Sequence, residues 1–545
     1  MGIKNRGRIM LAALLLGWAF DLLYWGRRPG ITPFLFLALT LAAGLWLARM
    51  EGVKPARSSL LLILPTLGFA AVSFLRQESL TAALSYLLAL IALGLMAATF
   101  RSGLWTCYSL TDMVTAAFRL AGSGLIGAGE MQVKGNAEDA AAREPGKPAG
   151  SFKRNVLPVL RGVLLALPAL IVLALLLSSA DPIFEQRMSA ILEIFKPEKW
   201  VEYLMRAFYI LLIAYILTGI YAHVLVKSSN EKLLGVDKPW LPPFLGWTEA
   251  VIVLGAVDLL FLFFVVLQFQ YFFGGQTNVN TAGYTYSEYA RRGFGELVWV
   301  AVISLLLFLG LTSLSKRNSA VQKRIFSGLG VLLVALVAVI LVSAYQRLVL
   351  YETAYGFTRL RTYTHVFMIW LGVLLLATML LELFSRPRAF GLAALAVAAG
   401  FVLTLVVMNV DGFIVNQNVT RSEDNFIITT SGERLSNSKQ LDMAYLDDLS
   451  DDAVPALLMQ FRAAPQGAKR DALGSSLACH AAQWQQDHKD ARWTAYNVST
   501  AIAARLLVQA VPELSEYKVR QNTDGGLLVQ AGGAERVCGA FVGVD

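Results

Sequence analysis

Charge is scarce in this chain. Only 16% of its 545 residues are Asp, Glu, Lys or Arg, where soluble domains carry about 25%. Histidine occurs four times, as His223, His365, His480 and His488. Cysteine occurs three times, as Cys107, Cys479 and Cys538. The sequence has no zinc-type Cys/His cluster, no His-Glu-x-x-His and no Gly-rich loop followed by Lys-Ser or Lys-Thr. These absences remove the usual signatures of a zinc site, a zinc peptidase and a P-loop nucleotide site. The spacing of Cys479-His480 and His488 is too loose for a metal site, and no Ser/His/Asp set stands out. The sequence therefore points to no metal, no cofactor and no catalytic residue, and leans away from an enzyme.

What it has in excess is hydrocarbon. Hydrophobic residues make up 56% of the chain and its mean hydropathy is +0.57. A water-soluble core cannot hide that much apolar surface, whereas a bilayer span consumes about 20 such residues each time. Eleven candidate spans follow: 9–25, 31–48, 59–75, 80–100, 156–179, 201–226, 248–273, 292–315, 326–345, 365–384 and 389–409. The first begins with the basic "MGIKNRGR" but has no small-residue cleavage site and runs on through "FDLLYW", so it reads as a retained helix.

Lys and Arg set the orientation. With the N-terminus in the cytoplasm, inward loops carry 22 basic residues and outward loops 11. Eleven crossings then leave the C-terminus outside. Composition changes at the last span. Residues 410–545 hold 17 acidic and 12 basic side chains, a net of −5, so the rest of the chain, against +9 overall, carries +14. A basic membrane body with an acidic soluble domain points to anionic lipid rather than nucleic acid.

The expected organisation is an all-α polytopic membrane bundle of about eleven transmembrane helices with a C-terminal soluble α+β domain. Residues 1–130 read as four spans in a compact group plus an interfacial amphipathic helix at Leu110, Met113, Val114 and Phe118, with "AGSGLIGAG" as a possible re-entrant turn. Residues 131–155 read as a flexible cytoplasmic linker, 156–409 as a seven-helix core and 410–545 as the extracytoplasmic domain. Within that domain two short helices, two longer helices and three short strands are expected, with Ser450 or Asp451 as a cap and Pro455 in a first turn. If the domain lies outside, a disulfide between Cys479 and Cys538 is permitted; otherwise both are buried thiols. Cys107 reads as an apolar filler.

Three places break the membrane pattern. Asp258 stands near the middle of a span, where insertion of a charge costs about 2.5–3.5 kcal/mol or more. It should face the interior, paired or protonated, and it marks either an ion path or a neutral acid bonded to backbone. In "TYSEYARRGFGEL", Glu288, Arg292 and Glu296 are four apart, with Arg291 three after Glu288. They fit a charge-neutralised interfacial helix start or the rim of a polar cavity. In "YETAYGFTRLRTYTHVFMIW", Glu352, Tyr355 and Arg359 read as one helical face, and Arg361 and His365 as another. Both stretches would lie outside, and their arginines are expected in one network with Glu288, Glu296 and Glu352 beneath the C-terminal domain.

"LLSSADPIFEQ", "FLGWTEAVIVLGAVDLLFLFFVVLQFQYFFGG", "TYSEYARRGFGELV", "YETAYGFTRLRTYTHVFMIW" and "NVDGFIVNQNVTR" with "LDMAYLDDLSDDAVPAL" resemble an uncharacterised bacterial family of multi-pass membrane proteins. It is catalogued as a domain of unknown function, of the 4173 type. The resemblance covers roughly 156–460 and implies a bacterial inner-membrane protein without implying an activity. Three function classes remain. The first is a non-enzymatic sensory or scaffolding component with a periplasmic binding domain and a periplasmic or membrane protein partner. The second is a proton- or ion-coupled transporter using Asp258 and the outer Arg/Glu/Tyr network. The third is a membrane glycan or lipid transferase.

Overall fold

Among the described residues, ten helices are long and apolar enough to cross a membrane. The computed structural model describes residues 5–27, 30–141, 197–229, 233, 243–273, 294–422, 441–489, 492–522 and 526–539. The ten helices coincide with ten of the eleven expected spans, and the remaining one, 156–179, lies outside the described residues. The fold is an all-α polytopic membrane bundle that ends in shorter helices and a three-stranded sheet.

The spans are apolar around their whole circumference rather than along one stripe, as lipid-bathed helices are. Leu64, Leu259 and Val407 are 81%, 70% and 74% exposed, which is favourable only against hydrocarbon. Short polar signals set the ends. The Glu78 side chain accepts from the Leu80 and Thr81 amides, Ser319 forms a capping box with Gln322, and the Thr358 side chain accepts from the Arg361 amide.

The helices in chain order are α1 (Arg6–Tyr24), α2 (Thr32–Met50), α3 (Ile63–Leu75), α4 (Ser79–Ala98), α5 (Leu110–Ala141) and α6 (Pro197–Ala222). They continue as α7 (Trp247–Phe273), α8 (Phe294–Leu314), α9 (Ala320–Tyr355), α10 (Arg359–Leu383) and α11 (Phe390–Met408). The chain divides into two compact units. One holds Met1–Trp25, Ala42–Lys54 and Arg119–Lys227; the other holds Gly26–Leu41, Pro55–Phe118 and Ser228–Asp545. The four N-terminal spans, expected as one group, are therefore shared between the units.

In the first unit α1 lies along α6. A Cβ on Gly17 would meet the Ile210 carbonyl oxygen at 2.5 Å, so glycine is what lets the backbones approach. The Gly-rich run, weighed as a re-entrant turn, is instead part of the continuous helix α5. A Cβ on Gly219 of α6 would meet the Ser123 carbonyl oxygen at 2.2 Å, and Gly127 faces Gly219 closely. The glycines serve helix–helix packing. The helix also runs through 131–141, the start of the expected linker, while 142–155 lie outside the described residues. At the start of α5, Leu110, Val114 and Phe118 are exposed, while Met113 is half-buried.

In the second unit α3 packs on α4. A separate core joins α7, α8, α9 and α10 through buried residues such as Leu254, Ala301, Phe308, Phe326, Ile340 and Leu375. Another core starts at Val366 and Leu405 in the spans and continues without a break into the C-terminal segment. That segment holds α12 (Val410–Arg421), α13 (Met443–Asp447), α14 (Val454–Ala463), α15 (Ala468–Asp487) and α16 (Val498–Leu514). An antiparallel meander follows, β1 (Lys518–Gln521), β2 (Leu527–Ala531) and β3 (Ala534–Val537), in the order β1-β2-β3. Ser450 caps the turn before α14, and Pro455 sits in the first turn of that helix. Two covalent or ionic ties hold the sheet to the helices. Cys479 of α15 is bonded to Cys538, with Cα atoms 5.5 Å apart. Arg536 of β3 pairs with fully buried Asp447, which also accepts from the Ser476 hydroxyl at 2.6 Å.

Candidate functional site

Asp258 lies on the face of α7 that carries Ala250, Leu254 and Val265 into the bundle. It is 4% exposed, and neither carboxyl oxygen has a hydrogen-bond partner. Its surroundings on this seam are the apolar core of α7 to α10. A buried polar group without a partner costs about 1–3 kcal/mol or more, so packing alone gives no reason for a carboxyl there.

Further along the same helices the polar groups are paired. Gln268 of α7 accepts from Ser343 at 3.1 Å and from Arg347 at 3.2 Å, both on α9. Between α9 and α10, His365 joins two side chains. Its Nε2 lies 2.6 Å from the Tyr345 hydroxyl and its Nδ1 3.1 Å from Glu352 Oε2. The Tyr345 and His365 rings meet edge to face with centroids 4.5 Å apart. Glu352 is 1% exposed, and its Oε1 has no partner.

Among the described residues, the members of the expected network have separate partners. Glu288, Arg291 and Arg292 lie outside the described residues, and Glu296 is exposed in the first turn of α8. Glu352 and Tyr355 do not share a helix with Arg359. Helix α9 ends at Tyr355, Gly356 turns the chain with φ +79°, and Thr358 starts α10. A Cβ on Gly356 would also lie 2.7 Å from the Arg421 guanidinium. The turn aims the two arginines away from Glu352. Arg361 donates to the Gly356 carbonyl at 2.6 Å and to the Tyr351 hydroxyl at 3.1 Å, and its guanidinium lies 4.2 Å from the Tyr351 ring centre. Arg359 forms a bidentate pair with Asp411, both bonds 2.8 Å. Arg361 and His365 do occupy one helix, α10, but with these separate partners.

Asp411 belongs to the C-terminal segment. It is fully buried and also accepts from the Ser450 amide at 2.8 Å and the Ser450 hydroxyl at 2.6 Å. The Arg359 amide donates to the Tyr445 hydroxyl at 2.7 Å, and burial pushes the Tyr445 phenol above its ordinary pKa. Burial, with Arg361 nearby, pushes the Arg421 guanidinium below its ordinary value. Asn418 closes the same turn, accepting from the Phe357 amide at 2.7 Å and donating to the Phe357 carbonyl at 2.9 Å.

A second carboxylate holds the other side of the segment. Asp452 is 1% exposed and accepts from the backbone amides of Gln77 and Glu78, at 2.7 and 3.0 Å. The Ser499 hydroxyl donates to it at 2.7 Å and Arg76 at 3.4 Å. Asn497, the cap of α16, donates to the Arg76 carbonyl at 3.2 Å. At Gly30 a Cβ would meet the Ala495 carbonyl carbon at 2.5 Å. The C-terminal segment is thus clamped to the span ends at Gly30, Arg76–Glu78 and Gly356–Arg359.

Sequence reasoning missed Asp411 and Asp452, and also a cluster around buried Asp21 in the first unit. There Arg206 grips Asp21 with bonds of 2.9 and 2.6 Å, Tyr209 donates to the same carboxylate, and Trp25 donates to Glu202 at 3.0 Å. His223 Nδ1 lies 2.9 Å from the Ser123 hydroxyl. The signal available for Asp21 and Arg206 was their position at the lips of two spans, where unpaired charges are expensive. Among the described residues no group of three or more His, Cys, Asp or Glu is placed to hold a metal.

One family model matches the chain, the one described as "Domain of unknown function (DUF4153)", over residues 63–460. This corrects the number attached to the resemblance, 4173, while the character of the family, of unknown function, stands. No curated protein and no solved structure matches the chain.

Proposed function

The chain belongs to that family, whose function is unknown, and from this premise we propose that it is an inner-membrane component of sensory or scaffolding type with its C-terminal domain outside the cytoplasm. The observation that carries the reading is the clamp at Asp452 and Asp411. A domain fixed to two span ends by buried carboxylates and to a third by close backbone packing at Gly30 cannot shift without those ends shifting too. An event at its surface is therefore passed to the bundle mechanically, and the bundle in turn presents the domain in one pose. The domain's outward siting is supported by the two-to-one excess of basic residues on the opposite loops and by the Cys479–Cys538 bond, which persists in oxidising compartments. A C-terminal fusion tests the siting: phosphatase activity with a dark cytosol-maturing fluorophore is expected, and bright cells would overturn it.

A second reading, a proton-coupled permease, draws on Asp258, whose carboxyl oxygens are both buried without partners. Purified protein in liposomes loaded with a pH-sensitive dye separates the two. Tight vesicles support the scaffold. A proton leak abolished by Asp258→Asn supports the permease.

A further inference from the structure

We propose that Tyr345, His365 and Glu352 form a proton-binding relay at the end of the bundle beneath the C-terminal domain, with Glu352 as the group that receives the proton. The antiparallel turn at Gly356 brings α9 and α10 face to face, so that Glu352 near the end of one helix meets His365 near the start of the other. Tyr345 lies two turns back from Glu352 on α9, and the imidazole spans the gap with one nitrogen bonded at each end.

Three features make this a binding site rather than a static contact. First, Glu352 is 1% exposed and Oε1 is unmatched. An anion there is desolvated on one oxygen, and a single imidazole does not return that loss. One added proton removes the charge. Second, His365 is its only ion-pair partner among the described residues. Among the described residues the other charged groups nearby have partners of their own: Arg347 bonds Gln268, Arg361 bonds Gly356 and lies on the Tyr351 ring, and Arg359 pairs with Asp411. Arg421 of α12 lies against Gly356 and Arg361, and α11, packed on α10, has no ionisable residue. Among the described side chains of α7 the nearest polar group along the seam is Gln268, and Asp258 lies ten residues earlier, about 15 Å along the axis. On α8, Glu296 is exposed. Third, the side chain of His365 is 23% exposed, so the imidazole is not sealed inside the bundle.

The step balances without a co-reactant. Before transfer, the Tyr345 hydroxyl donates to Nε2 and Nδ1–H donates to Glu352 Oε2. A proton arriving on the Tyr345 oxygen releases the phenol's own proton to Nε2, and the Nδ1 proton passes to Oε2. Afterwards Nε2–H donates to the Tyr345 oxygen and the Glu352 hydroxyl donates to Nδ1. Tyr345 and His365 end neutral, the imidazole in the other tautomer, and Glu352 ends as the acid. Both hydrogen bonds survive with their direction reversed, so no heavy atom needs to move. A role in conduction rests on the permease reading above; binding of the proton does not.

The test is infrared difference spectroscopy of the full chain in lipid nanodiscs, between acid and alkaline pH, with protons as the only ligand. An Asp258→Asn background removes from the signal the buried carboxyl whose two oxygens both lack partners; the paired carboxyls of Asp411, Asp447 and Asp452 remain in every variant and cancel between them. A protonated-carboxyl band is expected, and Glu352→Gln should delete it. Tyr345→Phe keeps the ring and breaks the chain of donors, so the band should persist while its rise after a pH jump slows by about a hundredfold. Survival of the band in Glu352→Gln, or an unchanged rate in Tyr345→Phe, would overturn the relay. A band with these properties in protein whose liposomes stay tight would keep the relay and dismiss the permease.

Discussion

Replacing Asp452 by alanine should release one side of the C-terminal clamp. The carboxylate is 1% exposed and receives two backbone amides and one hydroxyl within 3.0 Å. Arg76 adds little, because it is 3.4 Å away and 26% exposed. Truncation leaves the Glu78 amide and the Ser499 hydroxyl buried without an acceptor, while the Gln77 amide is rehydrated at an exposed position. An unsatisfied buried donor costs about 1–3 kcal/mol. Two such donors and one partly compensated give a loss of about 3–4 kcal/mol, in line with the 3–5 kcal/mol for breaking a buried charged contact. At about 1.4 kcal/mol per factor of ten, opening of this docking surface becomes roughly a few hundred times more frequent. Hydrogen exchange of the full chain, followed by mass spectrometry, reads this directly. Protection should fall together in peptides covering 76–82 and 497–503, and stay level in 330–340 of α9. Asp452→Asn, which keeps one acceptor oxygen, should lose about half as much free energy. A change of less than tenfold at 497–503 in Asp452→Ala would refute the clamp.

Asp411→Ala should lower the melting temperature of the full chain in detergent by removing the bidentate partner of Arg359, at about 3–5 kcal/mol; Arg359→Lys should recover little, since an ammonium cannot reproduce the fork. Gly219→Ala forces a methyl to within 2.2 Å of the Ser123 carbonyl oxygen. It should destabilise the α5–α6 contact by about 1–3 kcal/mol, whereas Gly122→Ala, with open space around it, should be neutral in the same melt. Burial, with Asp471 beside it, pushes the Tyr517 phenol up to about 12. A raised value favours the neutral ring, so its contribution is complete below the ordinary value of 10 and is lost as pH rises through about 12. Tyr517→Phe should flatten alkaline unfolding in that window, measured by fluorescence; an unchanged alkaline limb would refute the assignment.

The spans were legible because a bilayer imposes a length and a composition, and both are visible in one chain. The C-terminal strands and the Ser450–Pro455 helix start were legible for a similar reason: their signals are local. Errors arose where a local signal had two meanings. Glu352, Tyr355 and Arg359 fit a helical face by spacing, yet Gly356 at φ +79° interrupts the helix. The Gly-rich run near 121–129 looked like a turn, but in hydrocarbon glycine also marks the closest approach of two helices. Asp411 and Asp452 entered only as part of an acidic total. Their partners lie 52 and 376 positions away for Arg359 and Arg76, and no spacing rule reaches that far.

The clamp also constrains how the chain threads the membrane. The same C-terminal segment touches the α3–α4 turn through Asp452 and the α9–α10 turn through Asp411, so these turns lie on one side of the bilayer. An even number of crossings must therefore separate Glu78 from Gly356. The described candidates between them are α4, α6, α7, α8 and α9, which is an odd number. The rest of that interval includes residues 142–196, which lie outside the described residues and contain the apolar run 156–179 expected from the sequence as a span. From Gly356 onward α10 and α11 return the chain to the same side, where Asn409 donates to the Asp452 carbonyl at 2.9 Å and α12 begins. Arg76 and Arg359 each face a buried aspartate of the C-terminal segment, so neither is a free loop charge of the kind the positive-inside trend counts, and that holds whichever side of the bilayer the segment occupies.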